Sequence, residues 1–317
     1  MQVWHYTLEA APIFGSTVVT LGIFDGVHAG HKAILEMAGA SAKALGIPAV
    51  VVTFDPHPSV LLAPQHKPKL LMTLAQRLTT FERTGMDLAW VIPFSRSLSE
   101  LSPAEFLSGL HHALAPVELH VGNAFHFGHE RKGDLGVLQA WGASVGCEIH
   151  GYALKAVDGG PLSSTRVREA LDRGAVEEVE ALLGHPYVVS GIVVEGDRRG
   201  RHLGFPTANL AWDQEQLPAN GVYVTEVRGS HIQGGRMGLT NVGEKPTFEG
   251  SKLTVETFIP DFEADLYGVH LELGFLHRLR AERRFASIDA LRAQIAEDVL
   301  QGQVWWEQHP GKREPGE

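Results

Sequence analysis

Two histidines lie three residues apart in a glycine-rich turn near the start of the chain. Residues 22–31 read Gly-Ile-Phe-Asp-Gly-Val-His-Ala-Gly-His, between an apolar segment and a helical stretch, so His28 and His31 are expected on one face of the first helical turn. Free N–H groups and the helix dipole favour anions there, and imidazoles can donate hydrogen bonds to phosphoryl oxygens. Gly22, Gly26 and Gly30 let the backbone approach a phosphate. The pattern predicts a phosphate site, with a turn carrying two solvated histidines as the plainer alternative.

Hydroxyl and guanidinium groups come together further along the chain. Ser163, Ser164 and Thr165 form a hydroxyl cluster at a predicted helix start, and Arg166 and Arg168 follow them. Helix-start hydroxyls and the planar guanidinium group suit the recognition of phosphate oxygens. Alone, the segment would read as an ordinary N-cap with surface arginines. Its place after the histidine turn favours a function in nucleotide binding.

A second glycine-rich stretch lies in the other half of the chain. Residues 196–209 read Gly-Asp-Arg-Arg-Gly-Arg-His-Leu-Gly-Phe-Pro-Thr-Ala-Asn. Gly196, Gly200 and Gly204 are predicted in a loop, where successive N–H groups can bind phosphates. Thr207 and Asn209 offer hard oxygen ligands of the kind that Mg²⁺ accepts alongside ATP phosphates. The sequence contains no Walker-type G-x-x-x-x-G-K-[ST] motif, which excludes a P-loop kinase.

Together these motifs resemble the prokaryotic bifunctional riboflavin kinase/FAD synthetase family. The histidine turn is similar to the HxGH signature of the nucleotidyltransferase superfamily, and residues 162–168 are similar to its ISSTxIR element. The stretch 196–209 resembles the ATP/Mg²⁺ motif of riboflavin kinases. Further similar segments are Phe-Asp-Pro-His-Pro at 54–58, Val-Gly-Asn-Ala-Phe-His-Phe-Gly at 121–128, Asn-Val-Gly-Glu-Lys-Pro-Thr-Phe at 241–248 and Arg-Ala-Glu-Arg-Arg-Phe at 280–285.

The resemblance implies two reactions and a set of residues for each. The C-terminal half would transfer the γ-phosphoryl group of ATP to riboflavin, and the N-terminal half would adenylylate the resulting FMN to FAD with release of pyrophosphate. Glu256 would be the general base of the first reaction, and His28 and His31 the catalytic residues of the second. The implied ATP or phosphate ligands are Gly22, Phe24, Asp25, Gly26, Gly30, Ser163, Ser164, Thr165, Arg166, Arg168, Gly196, Gly200, Arg201, Gly204 and Pro206. The implied flavin contacts are Pro56, Pro58, Asn123, Phe125, Phe127, Arg131, Asn241, Arg280 and Phe285, and the implied Mg²⁺ ligands are Thr207 and Asn209.

One position departs from the family pattern. Ala124 stands where the family usually has Asp or Asn, so a side chain expected to help bind metal or nucleotide is missing unless Asn123 replaces it. Two alternatives therefore stay open. One is a riboflavin kinase with a weak or vestigial adenylyltransferase half, and the other is a non-catalytic flavin-binding protein. The retained His28, His31 and Glu256 favour an enzyme.

Alternating strand and helix patterns must position the first group of motifs. Apolar, β-branched segments predict strands at 18–24, 49–54, 88–94, 117–121 and 147–155. Helices are predicted at 31–45, 74–84, 103–114, 135–145, 165–173 and 176–183. This order predicts an α/β fold, a doubly wound, Rossmann-like parallel sheet whose ligands bind beyond the carboxyl ends of the strands.

The pattern changes after residue 184. Strands are predicted at 187–195, 221–228, 236–242, 253–259 and 269–279, followed by one helix at 288–300 and a frayed tail. We expect a six-stranded antiparallel β-barrel with a terminal helix, and Glu256 at the head of its strand. The predicted domains are residues 1–184 and 185–317.

Composition and charge limit the partners. The 317 residues are 44% hydrophobic and 20% charged, which excludes collagen-like, disordered and coiled-coil classes. A net charge of −10 disfavours nucleic-acid binding, and the lack of a signal-like or membrane-length apolar segment predicts a cytoplasmic protein with small-molecule substrates. The single cysteine, Cys147, excludes an intramolecular disulfide and fits a reducing compartment.

Overall fold

The structure, a computed structural model, describes residues 1–153, 156–157, 160–196, 200, 203–247 and 250–312. Contacts divide the chain into two compact units, Met1–Ser164 and Thr165–Glu317. The domain boundary expected after residue 184 stays a prediction. Among the described residues, no helix combines the length and apolarity needed to cross a membrane.

A parallel sheet forms the centre of the first unit. Its strands β1 to β6 lie in the order β1-β4-β3-β2-β5-β6. After β2 the chain adds β3 and β4 on one side of that strand and then β5 and β6 on the other, which confirms the predicted doubly wound fold. The topological switch therefore lies at the carboxyl end of β2, where ligands bind in such sheets. The strands are Gln2–Trp4, Thr17–Leu21, Ala49–Asp55, Leu88–Pro93, Pro116–Gly122 and Glu148–Tyr152, of which the first was not predicted.

Helices cover both faces of this sheet because its strands alternate apolar side chains between two cores. Val18 and Val51 belong to one core cluster, whereas Val19 and Val50 belong to the other. Capping boxes at Thr73 and Ser102 begin two of the helices. Helices α1 to α6 are Ala29–Leu45, Pro58–Leu62, Leu74–Arg83, Arg96–Glu100, Pro103–Leu114 and Leu135–Val145, and a short hairpin of β7 (Ala156–Val157) and β8 (Gly160–Pro161) follows.

The second unit is built on a closed antiparallel barrel, as predicted. Its strands lie in the order β10-β13-β12-β11-β14-β9. Buried hydroxyl groups of Thr225, Thr240 and Thr257 satisfy one another, at 2.8 Å for the first pair and 2.9 Å for the second. Strands β9 to β14 are Tyr187–Val194, Thr207–Trp212, Gly221–Gly229, Ile232–Thr247, Gly250–Phe258 and His270–Ala281; helices α7 to α9 are Ser164–Arg173, Val176–Leu183 and Ile288–Gln308.

Two elements of this unit correct the sequence prediction. Strand β10 was expected as part of a loop, because only Leu210 of its six side chains is buried and its apolar pattern is weak. Pairing with β9 and β13 nevertheless makes it the strand that closes the barrel. The tail from Gln301 is helical rather than frayed, since α9 packs on the barrel and the ring of Trp305 stacks on His277 at a centroid distance of 5.2 Å.

Candidate active sites

His28 and His31 form a stacked pair at the N-terminus of α1, beyond the carboxyl end of β2. Their ring centroids are 3.7 Å apart and the rings are inclined by 14°. His28 is the N-cap residue, and its Nδ1 accepts the backbone N–H of His31 at 3.3 Å. Because Nδ1 is then unprotonated, the proton of a neutral His28 ring lies on Nε2. The pair thus places a fixed N–H donor beside the free amides of the first helical turn.

Burial keeps both imidazoles neutral. It lowers the pKa of His28 to about 4. Burial, and after it the proximity of His28, also lowers the pKa of His31 well below its ordinary value. At neutral pH the pair therefore carries no charge, and the attraction for a phosphate comes from oriented N–H groups and the helix dipole.

Asp25 fixes the turn that leads to the histidine pair. Its Oδ1 accepts the backbone N–H groups of Leu71 at 2.9 Å and Met72 at 3.3 Å. Its carbonyl oxygen accepts the hydroxyl of Ser164 at 2.7 Å, so one member of the predicted hydroxyl cluster contacts the histidine turn directly. Gly26 has a φ of +83°, and a Cβ there would lie only 2.7 Å from Leu71 Cδ1. The turn consequently requires a glycine at this position.

Arg77 is a positioning residue that the sequence analysis missed. It lies buried on α3 and donates to the carbonyl of Ile23 at 3.0 Å and to Asp55 Oδ1 at 3.3 Å, which joins the ends of β2 and β3. Burial lowers its pKa, and the neighbouring Asp55 opposes that shift. The available signal was an arginine at a position where the helical spacing of Leu74 and Phe81 expects an apolar residue.

Aromatic rings gather near the carboxyl ends of β3, β4 and β5. Phe125 stacks on Phe127 at 5.7 Å and 12°, and Phe54 meets Phe94 edge to face at 5.9 Å. Phe127 is buried, whereas the other three rings are partly exposed. Half-exposed aromatic faces suit the stacking of a flat heteroaromatic ring.

The remaining candidate residues of the adenylyltransferase motifs are more dispersed. Asn123, Pro56 and Arg131 are exposed, and Pro58 is the first residue of α2. Arg166 forms an ion pair with Glu178 at 3.4 Å within the second unit. The roles implied for these residues, for Ser163, Thr165 and Arg168, and for the backbone of Gly22, Phe24 and Gly30 stay predictions.

The barrel places three of its predicted residues in one row. Glu256 on β13 pairs in register with Asn209 on β10 and with Asn241 on β12. Directly paired residues share a face of an antiparallel sheet, so these side chains lie side by side. Lys245, which the sequence analysis did not single out, forms an ion pair with Glu256. Glu256 is the third residue from the carboxyl end of β13, which corrects the expectation that it heads the strand.

The donors expected for Mg²⁺ fit a hard cation. Thr207 and Asn209 are two residues apart on β10 and therefore share a face. A Cβ on Gly196 would collide with the side chain of Asn209, and one on Gly200 would lie 3.3 Å from Thr207 Oγ1. The backbone at the two glycines therefore packs closely against both side chains, whose hydroxyl and amide oxygens are hard ligands of the kind that Mg²⁺ accepts. Arg201 lies outside the described residues; Gly204 and Pro206 lie in the segment before β10.

Arg280 is held by the terminal helix. It belongs to β14, and its Nε and Nη2 donate to the carboxylate of Asp298 on α9 at 2.9 Å and 2.6 Å. Its guanidinium also lies over the ring of Phe285 at 5.7 Å. Val222 on β11 pairs with Arg280 on β14 on one side and with Asn241 on β12 on the other. Arg280 and Asn241 therefore lie at the same level of the barrel, separated by one strand. Its contact with flavin stays a prediction.

Comparison with known proteins places both halves in enzyme families. The FAD synthetase family model matches residues 11–166, and the riboflavin kinase family model matches residues 183–306. The chain is thus a two-part transferase of flavin nucleotides. Relatives named bifunctional riboflavin kinase/FMN adenylyltransferase occur in Escherichia coli K12 (38% identical, 93% of this chain and 94% of the relative), Pseudomonas fluorescens (39%, 94% and 96%) and Bacillus subtilis (34%, 89% and 90%). The chain belongs to the bifunctional riboflavin kinase/FMN adenylyltransferase family, which confirms the resemblance found in the sequence.

A solved structure shares the whole fold. The crystal structure of a protein named macrolide-efflux protein from Streptococcus pneumoniae superimposes with a TM-score of 0.87 at 30% identity, covering 96% of this chain and 99% of that one. The name belongs to that protein, and the likeness shows that the two chains have the same architecture.

Proposed function

We propose that the barrel phosphorylates riboflavin to FMN with ATP and that the parallel-sheet unit adenylylates FMN to FAD with a second ATP. The observation that carries the proposal is the position of Glu256 between Asn209 and Asn241, on the strand that pairs with the one carrying Thr207. A carboxylate there can act on a hydroxyl group while the neighbouring amides orient substrate. Family membership supports the same pair of activities.

In the kinase reaction Glu256 accepts the proton of the riboflavin 5′-hydroxyl. The hydroxyl oxygen forms a bond to the γ-phosphorus of ATP as the bond from that phosphorus to the β–γ bridging oxygen breaks, which gives FMN and ADP. Lys245 holds the carboxylate of Glu256 through the ion pair and limits its rotation. Asn209 and Asn241 flank the carboxylate and can bind the reacting groups.

In the adenylyltransferase reaction a phosphate oxygen of FMN attacks the α-phosphorus of ATP, and pyrophosphate leaves. This step needs no general base, because the phosphate of FMN is already ionised. His28 and His31 act as neutral donors to the phosphoryl oxygens on which charge develops. The half-exposed rings of Phe54, Phe94 and Phe125 form the surface on which the isoalloxazine ring stacks.

Kinases and nucleotidyltransferases of these families generally use Mg²⁺ with ATP. In the barrel Thr207 and Asn209 would hold the ion, which neutralises phosphate charge when bound. Both residues supply neutral oxygens, so the ion keeps most of its charge for the ATP phosphates.

Two substitutions test the assignment of the two reactions. Glu256→Gln keeps the size of the side chain but removes the base, so FMN formation should fall by about 10²- to 10⁴-fold while conversion of added FMN to FAD is retained. The assay incubates the protein with ATP, Mg²⁺ and either riboflavin or FMN and separates the flavins by chromatography. Glu272→Gln, on the exposed side of β14, is the matched control and should retain both reactions. Normal riboflavin phosphorylation by Glu256→Gln would show that another group is the base.

His31→Ala should give the opposite result. The loss of a donor at the phosphoryl oxygens should slow FAD formation by about 10²- to 10³-fold and leave FMN formation intact. His112→Ala, at an exposed position of α5, is the control. Unchanged FAD synthesis by His31→Ala would remove His31 from the site, and wild-type protein that stops at FMN would support the alternative of a vestigial adenylyltransferase half.

A further inference from the structure

A second group of histidines lies on the sheet, and the proposed reactions use none of its side chains. His120 on β5 pairs in register with His150 on β6, and Glu118 lies two residues before His120. All three side chains therefore point to the same face of the sheet. They lie along the strands rather than beyond the carboxyl ends where the proposed active site is built.

The spacing of the three side chains matches that of metal ligands. Glu118 Oε2 lies 3.1 Å from His120 Nε2 and 3.5 Å from His150 Nε2, and one ligand atom from each residue falls within 4.8 Å of the others. A tetrahedral ion bound by nitrogen and oxygen at about 2.0–2.1 Å holds its ligand atoms about 3.3–3.4 Å apart. An ion can therefore enter the triad with little movement of the three side chains.

Outer contacts already orient two of the three ligands. His120 Nδ1 lies 2.8 Å from the hydroxyl of Tyr152, and the hydroxyl of Ser41 donates to Glu118 Oε2. His120 Nε2 also lies within hydrogen-bond distance of Glu118 Oε2, at 3.1 Å. A bound ion would replace this contact, with the ring proton on Nδ1 and donated to Tyr152, as in many metal sites.

His150 provides the observation that points to a ligand. Its Nε2 is buried, yet it makes no hydrogen bond with any residue in the part of the chain that the structure describes. Its contacts with Glu118 and with Glu148 Oε1, at 3.5 Å and 3.6 Å, are longer than hydrogen bonds. The His150 side chain as a whole is 30% exposed, although its Nε2 atom is buried.

We propose that Glu118, His120 and His150 bind one divalent transition-metal ion, with Zn²⁺ as the preferred ion. Two imidazoles and one carboxylate are a zinc-type ligand set, whereas Mg²⁺ prefers oxygen ligands and keeps its water. The fourth position is open to water or to the exposed Glu148. The bound ion links the edge strand β6 to β5, so it stabilises the edge of the sheet independently of the flavin reactions.

The test uses the full-length protein, stripped with a chelator and then titrated with Zn²⁺ in the presence of excess Mg²⁺. We expect one tightly bound Zn²⁺ per chain and an upward shift of the melting temperature. His150→Gln should weaken the affinity at least about tenfold, and Tyr152→Phe should weaken it by about 10- to 100-fold. His150 is partly exposed, so its replacement should leave the protein folded, whereas His120 is buried and less suitable. Replacement of Zn²⁺ by Co²⁺ should give visible absorption typical of a tetrahedral site.

Controls separate this site from other histidines. His112→Gln removes an exposed imidazole on α5 and should bind Zn²⁺ as the wild type does. If His31→Gln abolishes binding and His150→Gln does not, the ion occupies the histidine turn and the proposal is wrong. Equal, weak binding by the wild type and His150→Gln would likewise overturn it, since the triad would then be only a hydrogen-bonded cluster.

Discussion

The neutral histidine pair makes the stability of the first unit dependent on pH. His28 is only 2% exposed, and burial lowers its pKa to about 4 in the folded chain, against an ordinary value of 6.5. Between these two values the unfolded chain binds a proton that the folded chain does not. Stability is therefore complete above pH 6.5 and falls as the pH decreases towards 4.

The size of this effect follows from the two pKa values. A difference of about 2.5 units corresponds to about 3 kcal/mol when the pH is below both values. Between pH 7 and pH 5, the loss attributable to His28 is about 2 kcal/mol by the same linkage relation. The lowered pKa of His31 acts in the same direction, so the loss for the pair is at least this large.

Comparison of the wild type with His28→Gln isolates this loss. The stability of the first unit is measured by urea unfolding at pH 7 and pH 5. Hydrogen exchange in peptides from β2 and α1, corrected for the intrinsic pH dependence of the exchange rate, assigns the unfolding to this unit. The wild type should lose about 2 kcal/mol more than His28→Gln between the two pH values. His112→Gln, which removes an exposed histidine, should behave as the wild type does. Equal losses in the wild type and His28→Gln would refute the view that His28 is buried in its neutral form.

Two further substitutions test contacts that hold the sites. Gly26→Ala should destabilise the first unit by more than the roughly 1–2 kcal/mol expected for a positive φ, because the added Cβ also collides with Leu71. The control is Gly46→Ala, which has a φ of +68° and no neighbour within 4 Å and therefore measures the backbone strain alone. Equal losses of stability for the two variants in urea titrations would contradict the collision with Leu71. Asp298→Asn should lower the stability of the barrel by about 3 kcal/mol, because it leaves the partly buried Arg280 without its charged partner. The control Glu307→Gln, at an exposed position of α9, should have little effect. An unchanged urea midpoint for Asp298→Asn would show that the ion pair does not hold the helix on the barrel.

The sequence predicts those parts of the fold whose signals are local. Helix α5 was placed correctly at both ends because Ser102, Pro103 and Glu105 form an N-terminal signature that needs no tertiary information. The sequence did not predict strand β10 or the last two turns of α9, because these segments adopt regular structure only through contacts with other elements. The first is paired on both sides within the barrel, and the second packs through Trp305 against β14.

Motif order identified the family, but it did not give the contacts that position the site. Arg77 joins two strand ends from a helix that carries none of the motifs. Lys245 reaches Glu256 from another strand, and no pattern along the chain pairs these two residues. Such contacts depend on sheet order and register, which a single sequence does not specify.

The electrostatics of the histidine turn suit the anion binding that we propose there, in a chain whose net charge is −10. Both imidazoles are neutral, and the guanidinium of Arg77 is engaged by carbonyl oxygens and Asp55. A carboxylate oxygen of Asp25 is in turn engaged by two backbone amides, which reduces its repulsion of a phosphate. Attraction for a phosphate at this turn therefore comes mainly from dipoles: the amides at the start of α1 and the N–H of His28. The attraction of dipoles falls off within a few ångströms, so they favour a phosphate in hydrogen-bond contact with these groups over one farther away. An in-line displacement needs such precise positioning of the phosphate.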